Sequence, residues 1–195
     1  MSPIPVYVLV GGASRRFGVD KATTLVDGEP WALHVGRRLA ASDTPIVLVG
    51  APLAEPIADL RTVPDAAGAA GPLAGVLAAL DDRRQAFGEG RLVLASCDLV
   101  RPESEWLAPL HALHDNDEGL SVAAYHDARG WQPFPCVAHT RWRDELWRQI
   151  TAGARSFQTV LGGPGVARAV WRGVAGGPPQ ANTPDELGDL LARRH

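Results

Sequence analysis

The sequence predicts an α/β fold with a mostly parallel central sheet and helices on both faces. Short runs of β-branched and apolar residues, such as 6–10 and 91–96, have the composition of strands buried on both faces of a sheet. Segments with helical spacing separate these runs, and alternation of strands with helices favours parallel pairing. The 195 residues contain no linker or internal repeat, so we expect one domain over residues 1–195.

Six segments are predicted to be strands, because they are short and mostly apolar and are followed by turn residues. The last of them is expected to form an edge of the sheet. In chain order, the predicted strands are Val6–Val10, Pro45–Gly50, Leu60–Val63, Arg91–Ser96, Leu120–Tyr125 and Ala167–Trp171.

The predicted helices combine apolar faces with recognisable ends. The first has Pro30 in its first turn, and its expected inner face consists of Leu33, Val35, Leu39 and Ala40. The last begins with a capping box made by Thr183 and Glu186. In chain order, the helices are Trp31–Ala41, Leu73–Leu80, Pro102–His114, Arg141–Thr151, Arg155–Leu161 and the one that begins within Asn182–Leu187.

Composition excludes several classes of partner. A formal net charge of −3 at pH 7 gives no field that would attract nucleic acid or a membrane surface. Cys97 and Cys136 lack the spacing of metal ligands, and the six histidines form no ligand motif. The chain starts without a basic leader, and no apolar run approaches the roughly 18 residues of a membrane span. We therefore expect a cytoplasmic protein.

The loop after the first strand carries the strongest chemical signal. Gly11 and Gly12 end the strand, and paired glycines let backbone N–H groups approach a ligand closely. Arg15, Arg16 and Lys21 follow, which indicates a polyphosphate ligand at the carboxyl end of the strand. Lys21 is the only lysine in the chain, and its compact ammonium suits a phosphate that changes geometry during a reaction. An ordinary solvated loop lysine is the alternative interpretation.

The stretch Asp65–Leu80 places an acidic residue before the N-terminus of a predicted helix. Gly71 and Pro72 stand at the start of that helix, where free N–H groups and a partial positive charge suit an anion or the polar edge of a nucleotide. Asp65 could accept hydrogen bonds from a base or a ribose. An ordinary helix start would explain Gly71 and Pro72 equally well.

Asp98 comes directly after the predicted strand 91–96. A carboxylate at the end of a central strand is placed for a hard cation, and Mg²⁺ is commonly held by one or two carboxylates together with phosphate and water. The alternative is an aspartate that caps a helix or lies in a loop.

Residues 11–21 follow the pattern G-G-x-S-x-R-x-G-x-D-K, which resembles the signature loop of the nucleotidyltransferases. Within these enzymes the chain is most similar to the molybdenum cofactor guanylyltransferases, the MobA-like group. The string D…G-P-L-A-G from Asp65, the carboxylate of Asp98 and the string N-T-P-x-x-L from Asn182 are similar to further motifs of that group, in the same order. The resemblance implies a three-layer, Rossmann-like nucleotidyltransferase fold.

The resemblance also implies transfer of GMP from GTP to molybdopterin (molybdenum cofactor), with release of pyrophosphate. It implies Mg²⁺ as the cofactor and molybdoenzymes or their chaperones as recipients of the product. Catalytic roles are then expected for Arg16, Lys21 and Asp98, with Asp98 as the metal ligand. The implied nucleotide-binding residues are Leu9, Val10, Gly11, Gly12, Lys21, Asp65, Gly71 and Asp98.

Some features leave alternatives open. Leu99–Pro102 has its proline two positions later than the family motif C-D-x-P, and Val49–Ala51 lacks an asparagine that often contacts the nucleotide. The pair Gly11–Gly12 favours guanine, but a cytidylyltransferase that uses CTP or another small phosphate acceptor stays open, as does an inactive nucleotide-binding partner protein. Asn182 is an additional candidate near the metal. Trp131 could stack on a pterin, although packing against a loop is the preferred interpretation.

Overall fold

A computed structural model describes residues 4–11, 20–50, 53, 56–57, 60–173 and 177–192. The strands are β1 (Val6–Val10), β2 (Leu25–Val26), β3 (Glu29–Pro30), β4 (Ile46–Gly50), β5 (Arg61–Val63), β6 (Arg91–Ser96), β7 (Val122–Asp127), β8 (Gly130–His139) and β9 (Val166–Val170). The α-helices are α1 (Trp31–Leu39), α2 (Pro72–Phe87), α3 (Ala108–Asn116), α4 (Trp142–Thr151), α5 (Phe157–Val160) and α6 (Pro184–Ala192). Short 3₁₀ turns cover Lys21–Thr23 and Ser104–Leu107.

Seven strands form the central sheet, in the order β5-β4-β1-β6-β8-β7-β9. The strands from β5 to β6 are mutually parallel, β8 is antiparallel to both of its neighbours, and β9 runs parallel to β7 at the edge. All five residues of β1 are buried, so both faces of the sheet are covered at its centre. The predicted α/β class with a mostly parallel sheet is confirmed.

The chain reverses its direction of travel across the sheet at β1. It proceeds from β1 to β4 and β5 on one side and then returns to β6 on the other side. Leu9 of β1 lies beside Ser96 of β6, so the two carboxyl ends are level. Such a reversal leaves a crevice at the carboxyl ends of the strands, which is where ligands bind in open α/β sheets.

The first helix differs in detail from the prediction. Pro30 precedes α1 instead of lying in its first turn, and the helix ends at Leu39, with Ala40 already extended. On the predicted inner face, Val35 and Leu39 are buried but Leu33 and Ala40 are only half-buried, whereas Trp31 is fully buried. Burial of this largest side chain, at the first helical position, sets which face of α1 turns towards the sheet.

The predicted helix Pro102–His114 is two elements instead of one. A 3₁₀ turn covers Ser104–Leu107, and α3 begins only at Ala108. Pro109 lies in the first turn of α3 and has no N–H to donate to the carbonyl of Glu105, so a continuous α-helix cannot run through it.

The second and last helices agree with their sequence signals. The prediction Leu73–Leu80 captures only the apolar half of α2, which continues through charged residues to Phe87. At the start of α6, the Glu186 N–H donates to Thr183 Oγ1 (3.2 Å), and the Asn182 N–H donates to Glu186 Oε2 (2.6 Å). A capping interaction is therefore present. In the usual capping box the glutamate accepts from the N–H of the N-cap residue, whereas Glu186 accepts from Asn182, one residue before Thr183.

Across the described ranges, none of the helices combines the length and the apolar character needed to cross a lipid bilayer.

Candidate active site

A cavity of about 320 Å³ opens at the carboxyl ends of β1, β4 and β6, beside the N-terminus of α2. Five residues that the sequence singled out lie in its lining: Leu9, Val10, Gly11, Asp65 and Gly71. The topology brings them together because the crevice at β1 is closed on one side by the loop that carries Asp65 and leads into α2. Lys21 and Asp98 are described but are not among the lining residues, whereas Gly12 and Arg16 of the signature loop lie outside the described residues.

Asp65 lies beside the first turns of α2, in the lining of this cavity. A Cβ added at Gly75 would lie within 3.3 Å of both Asp65 Oδ1 and the Leu9 side chain. Although Asp65 is largely exposed, the side of its carboxyl that lies beside the helix is removed from solvent, and this burial raises the pKa of Asp65. The carboxyl therefore stands in the cavity as a hydrogen-bond acceptor for a donor of the ligand.

The turn into α2 depends on Gly71. Its φ of 64° and ψ of −158° belong to a region of conformational space that only glycine occupies readily. The Gly71 carbonyl accepts a hydrogen bond from Ala74 N–H (3.0 Å), which starts the helix, and Pro72 fills its first position. The N-terminus of a 16-residue helix thus points its partial positive charge at the cavity.

Lys21 is not a solvated loop residue. It begins the 3₁₀ turn that Asp20 caps, and only 9% of its surface is exposed. Its Nζ donates to the carbonyl oxygen of Ala181 (2.9 Å) and to Asn182 Oδ1 (3.3 Å), and it lies 5.7 Å from the centre of a Trp31 ring. The alternative of an ordinary exposed lysine is therefore wrong.

Asp98 lies two residues beyond the end of β6, in a loop that pairs with the segment before α6. Its carbonyl oxygen accepts from Ala181 N–H (3.0 Å), and Leu99 forms an antiparallel bridge with Gln180. Burial raises the pKa of the Asp98 carboxyl, while a hydrogen bond to the Ser96 side chain and the charge of Lys21 oppose that shift. Since no helix begins at Asp98, the aspartate is not a helix cap.

The loop after Asp98, which is altered in sequence by its late proline, is held in place by Arg101. Arg101 occupies the left-handed region with a φ of 46°. Its guanidinium forms a bidentate pair with Asp27 (2.8 and 3.0 Å) and also donates to the carbonyl oxygen of Leu191 (3.1 Å). The altered loop is thereby tied to the β2–β3 hairpin and to the end of α6.

The surroundings of Asp98 fit a divalent cation that prefers oxygen ligands. Asp98 Oδ1 is buried and finds no hydrogen-bond partner among the described residues, which is costly unless a positive ligand compensates it. Within the described ranges no group of three or more His, Cys, Asp or Glu side chains is arranged to hold a metal. A cation bound here would therefore complete its shell with water and substrate oxygens, as Mg²⁺ commonly does.

Two further candidates have different outcomes. The Asn182 side chain accepts a hydrogen bond from Lys21. Asn182 also follows Ala181, which is hydrogen-bonded to the Asp98 main chain, so it lies beside both charged residues. Trp131 is 6% exposed and packs edge-on against His126, with the Arg168 guanidinium over its ring. This burial agrees with the preferred interpretation that Trp131 packs within the fold.

Sequence reasoning missed further residues of the site, among them Ser96, Phe134 and Trp31. Ser96 lines the cavity, and its side chain is hydrogen-bonded to Asp98. Its position at the end of β6, paired with Leu9 of β1, could have indicated this role. Phe134 lines the cavity from β8 because a register shift between β7 and β8 places extra residues there, which no local pattern signals. Trp31 contacts Lys21 and the loop of Asp98 although the sequence presents it only as the start of a helix.

Comparison with known proteins gives a consistent family. The model of the MobA-like NTP transferase domain matches residues 6–164. The molybdenum cofactor guanylyltransferase of Burkholderia vietnamiensis is 37% identical over 164 residues, which cover 77% of this chain and 78% of the relative. The probable molybdenum cofactor guanylyltransferase of Trichormus variabilis is 35% identical over 170 residues, covering 83% of this chain and 78% of the relative.

Solved structures share the fold at lower identity. Molybdopterin-guanine dinucleotide biosynthesis protein A from Archaeoglobus fulgidus superposes with a TM-score of 0.71 at 22% identity, covering 95% of this chain and 96% of the other. The 2-C-methyl-D-erythritol 4-phosphate cytidylyltransferase from Thermus thermophilus has a TM-score of 0.70 at 15% identity, covering 98% of each chain. A molybdopterin-guanine dinucleotide biosynthesis protein and a cytidylyltransferase thus share this architecture, and the fold alone does not determine which base is bound.

Proposed function

The chain belongs to the MobA-like NTP transferase domain family, and from this membership we propose that it transfers GMP from GTP to molybdopterin and releases pyrophosphate. The observation that carries the proposal is that Lys21 and Asp98 share a hydrogen-bonding partner, Ala181, and that Asp98 lies two residues after Ser96, which lines the 320 Å³ cavity. A buried ammonium and a buried carboxylate in this position are suited to a triphosphate and its cation.

The nucleoside is proposed to lie in the cavity between β1 and α2. The backbone of Leu9, Val10 and Gly11 forms one wall, and Gly71 the start of the helix opposite. Asp65 supplies carboxylate oxygens, which accept hydrogen bonds and donate none when ionised. The edge of guanine offers an amino group and a ring N–H, whereas cytosine offers only an amino group, so a carboxylate here favours GTP over CTP.

The triphosphate is proposed to extend from the cavity towards Lys21. Gly12 and Arg16, which belong to the signature pattern, are assigned to its phosphates together with Lys21. Phosphoryl and nucleotidyl transfer require little covalent work from the protein, so catalysis rests on alignment and on neutralising charge around the reacting phosphate. The Lys21 ammonium is held by Ala181 and Asn182 in a site that is largely closed to water, where its charge is weakly screened.

Asp98 is proposed to hold Mg²⁺ through the carboxylate whose Oδ1 is otherwise unpartnered among the described residues. When bound, the cation supplies positive charge to the phosphate oxygens. Ser96 orients the Asp98 carboxyl by its hydrogen bond. The acceptor phosphate is ionised at neutral pH, so the attacking oxygen needs no general base from the protein.

The experiment that tests this proposal is pyrophosphate release in the presence of Mg²⁺ and molybdenum-loaded molybdopterin, with GTP and CTP compared. We expect release that prefers GTP and that falls by at least about hundredfold in Lys21→Ala and in Asp98→Ala. Arg84→Ala, which removes an exposed arginine of α2 far along the helix from the cavity, is the control for loss of a positive side chain.

Three results would contradict the proposal in different ways. A preference for CTP would retain the reaction but assign the chain to cytidylyl transfer. Release that requires another phosphate compound would replace the acceptor. Tight binding of GTP without release of pyrophosphate under any of these conditions would identify a nucleotide-binding protein without transferase activity.

A further inference from the structure

Trp31 contacts both the Lys21 side chain and the loop that carries Asp98. It is fully buried at the first position of α1. Its indole Nε1–H donates to the carbonyl oxygen of Leu99 (2.7 Å), the residue directly after Asp98. The face of its ring system lies 5.7 Å from Lys21 Nζ, within the range of a cation–π interaction.

The backbone of Trp31 is also bound to the lysine turn. Its N–H donates to the carbonyl oxygen of Thr24 (2.8 Å), and the Thr24 N–H donates to the carbonyl of Lys21 (3.3 Å). One residue therefore fixes the turn that carries the ammonium, through its main chain, and the loop that carries the carboxylate, through its side chain.

These contacts close into a ring around the site. From Trp31 the path passes to Lys21, then to Ala181, whose N–H donates to the carbonyl of Asp98, and returns through Leu99. Removal of the indole opens this ring of contacts at Trp31, whose side chain contacts both Lys21 and the Asp98 loop. The Ala181 side would remain, so the site would loosen without being taken apart.

We propose that Trp31 is a positioning residue that sets the place of the Lys21 ammonium relative to the Asp98 carboxylate. The kinetic part of this inference rests on the proposed transferase function. Because both groups act on charge at the reacting phosphate, their separation governs the rate of the reaction more than the binding of the nucleoside in the cavity. A change at Trp31 should therefore lower kcat and leave the KM for GTP nearly unchanged.

The side chain of Trp31 performs two tasks that different variants separate. Trp31→Phe retains an aromatic face beneath Lys21 but loses the N–H that Leu99 accepts. Trp31→Leu loses both. Trp142→Phe is the matched control, because Trp142 is equally buried in α4 and its Nε1 has no hydrogen-bond partner among the described residues.

The test combines kinetics with a measurement that does not need turnover. Lys21 is the only lysine, so its acylation by an amine-directed reagent gives one modified internal peptide, which mass spectrometry distinguishes from the modified N-terminus. We expect kcat to fall roughly tenfold in Trp31→Phe and further in Trp31→Leu, with the KM for GTP within about twofold of the original. We expect acylation of Lys21 to accelerate about tenfold in Trp31→Leu and to stay unchanged in Trp142→Phe, because the buried ammonium is released only in the former.

Each result decides between positioning and general packing. Equal losses of kcat in Trp31→Phe and Trp142→Phe, or unchanged Lys21 reactivity in Trp31→Leu, would overturn the inference. A rise in the KM for GTP with kcat intact would also overturn it. If the original chain shows no transfer with any nucleotide, the proposed function fails, while the reactivity of Lys21 still decides whether Trp31 positions the lysine. Circular dichroism of each variant confirms that the fold is retained.

Discussion

Lys21 and Asp98 are hydrogen-bonded to the same residue, Ala181, whose carbonyl accepts from the lysine ammonium (2.9 Å) and whose N–H donates to the aspartate carbonyl (3.0 Å). The main chain before α6 therefore holds in place two charged residues that come from different strands and loops. This arrangement explains why a segment near the end of the chain belongs to a site that begins with the first strand.

Burial of the Asp98 carboxylate should cost stability in the absence of a cation. Burial raises the pKa of Asp98 in the folded protein. The resulting destabilisation of the fold is therefore absent at low pH, where the carboxyl is protonated in both states. It appears above the ordinary aspartate pKa of about 3.9 and is complete above the raised pKa. Asp98→Asn should therefore raise the Tm of the metal-free protein by about 2–4 °C at pH 7.5, equivalent to roughly 1 kcal/mol, and by less as the pH falls. Thermal unfolding at several pH values checks this.

Two controls separate this effect from loss of a negative charge in general. Mg²⁺ should raise the Tm of the original chain and leave that of Asp98→Asn unchanged. Asp27→Asn should have the opposite sign at neutral pH, because hydrogen bonds from Arg101 lower the pKa of Asp27 and stabilise its ionised form. That stabilisation should fade as the pH falls through the lowered pKa. A lower Tm in metal-free Asp98→Asn would contradict the account of a costly buried carboxylate.

Gly71 and Gly88 cap the two ends of α2 in similar conformations, with φ of 64° and 79° and extended ψ. At both positions an added Cβ would meet no described atom within 4 Å, so alanine acts through backbone strain and not through a clash. We expect each substitution to destabilise the protein by about 1–3 kcal/mol. Only Gly71→Ala should also weaken GTP binding, because only that end of the helix faces the cavity.

Urea unfolding and isothermal titration with GTP measure these two effects separately. Equal GTP affinities in Gly71→Ala and Gly88→Ala would place the nucleotide away from the start of α2.

Gly75→Ala should narrow the cavity without breaking the helix. The added Cβ would lie 3.2 Å from Leu9 Cδ2 and 3.3 Å from Asp65 Oδ1, so both side chains must move by a few tenths of an ångström. We expect the KM for GTP to rise about threefold to tenfold, with kcat little changed.

The control for Gly75→Ala is Gly188→Ala in α6, where the same change meets no described atom within 4 Å and should stabilise the protein by up to about 1 kcal/mol through helix propensity. Steady-state kinetics on both variants checks the prediction. An unchanged KM in Gly75→Ala would mean that Leu9 and Asp65 do not contact the nucleotide.

Local pattern was sufficient for the elements that carry the site. The apolar runs 6–10 and 91–96 coincide with β1 and β6, and the capping signal at Thr183 coincides with the start of α6. The placement of Asp65 and Gly71 beside the cavity also followed, because parallel strands bring their carboxyl ends to one edge.

Features that depend on long-range packing could not be predicted in the same way. The inner face of α1 was only partly predicted: Val35 and Leu39 are buried as expected, but Trp31 was not expected in it. Trp31 is buried by its contacts with Leu99, which is distant in sequence, and with Lys21, which lies in another turn. Phe134 reaches the cavity only through the register shift between β7 and β8. Neither effect leaves a periodic signal, since each arises from pairing between separate parts of the chain.

The most direct test of the central claim is the fate of the α-phosphate of GTP. With ³²P at that position, Mg²⁺ and molybdenum-loaded molybdopterin, we expect the label to enter a pterin dinucleotide in an amount equal to the pyrophosphate released. We also expect unlabelled CTP to compete weakly and Lys21→Ala to form at least about a hundredfold less product. Label that stays in GTP, or that appears as free GMP without a pterin product, would contradict the assignment of this chain as a guanylyltransferase.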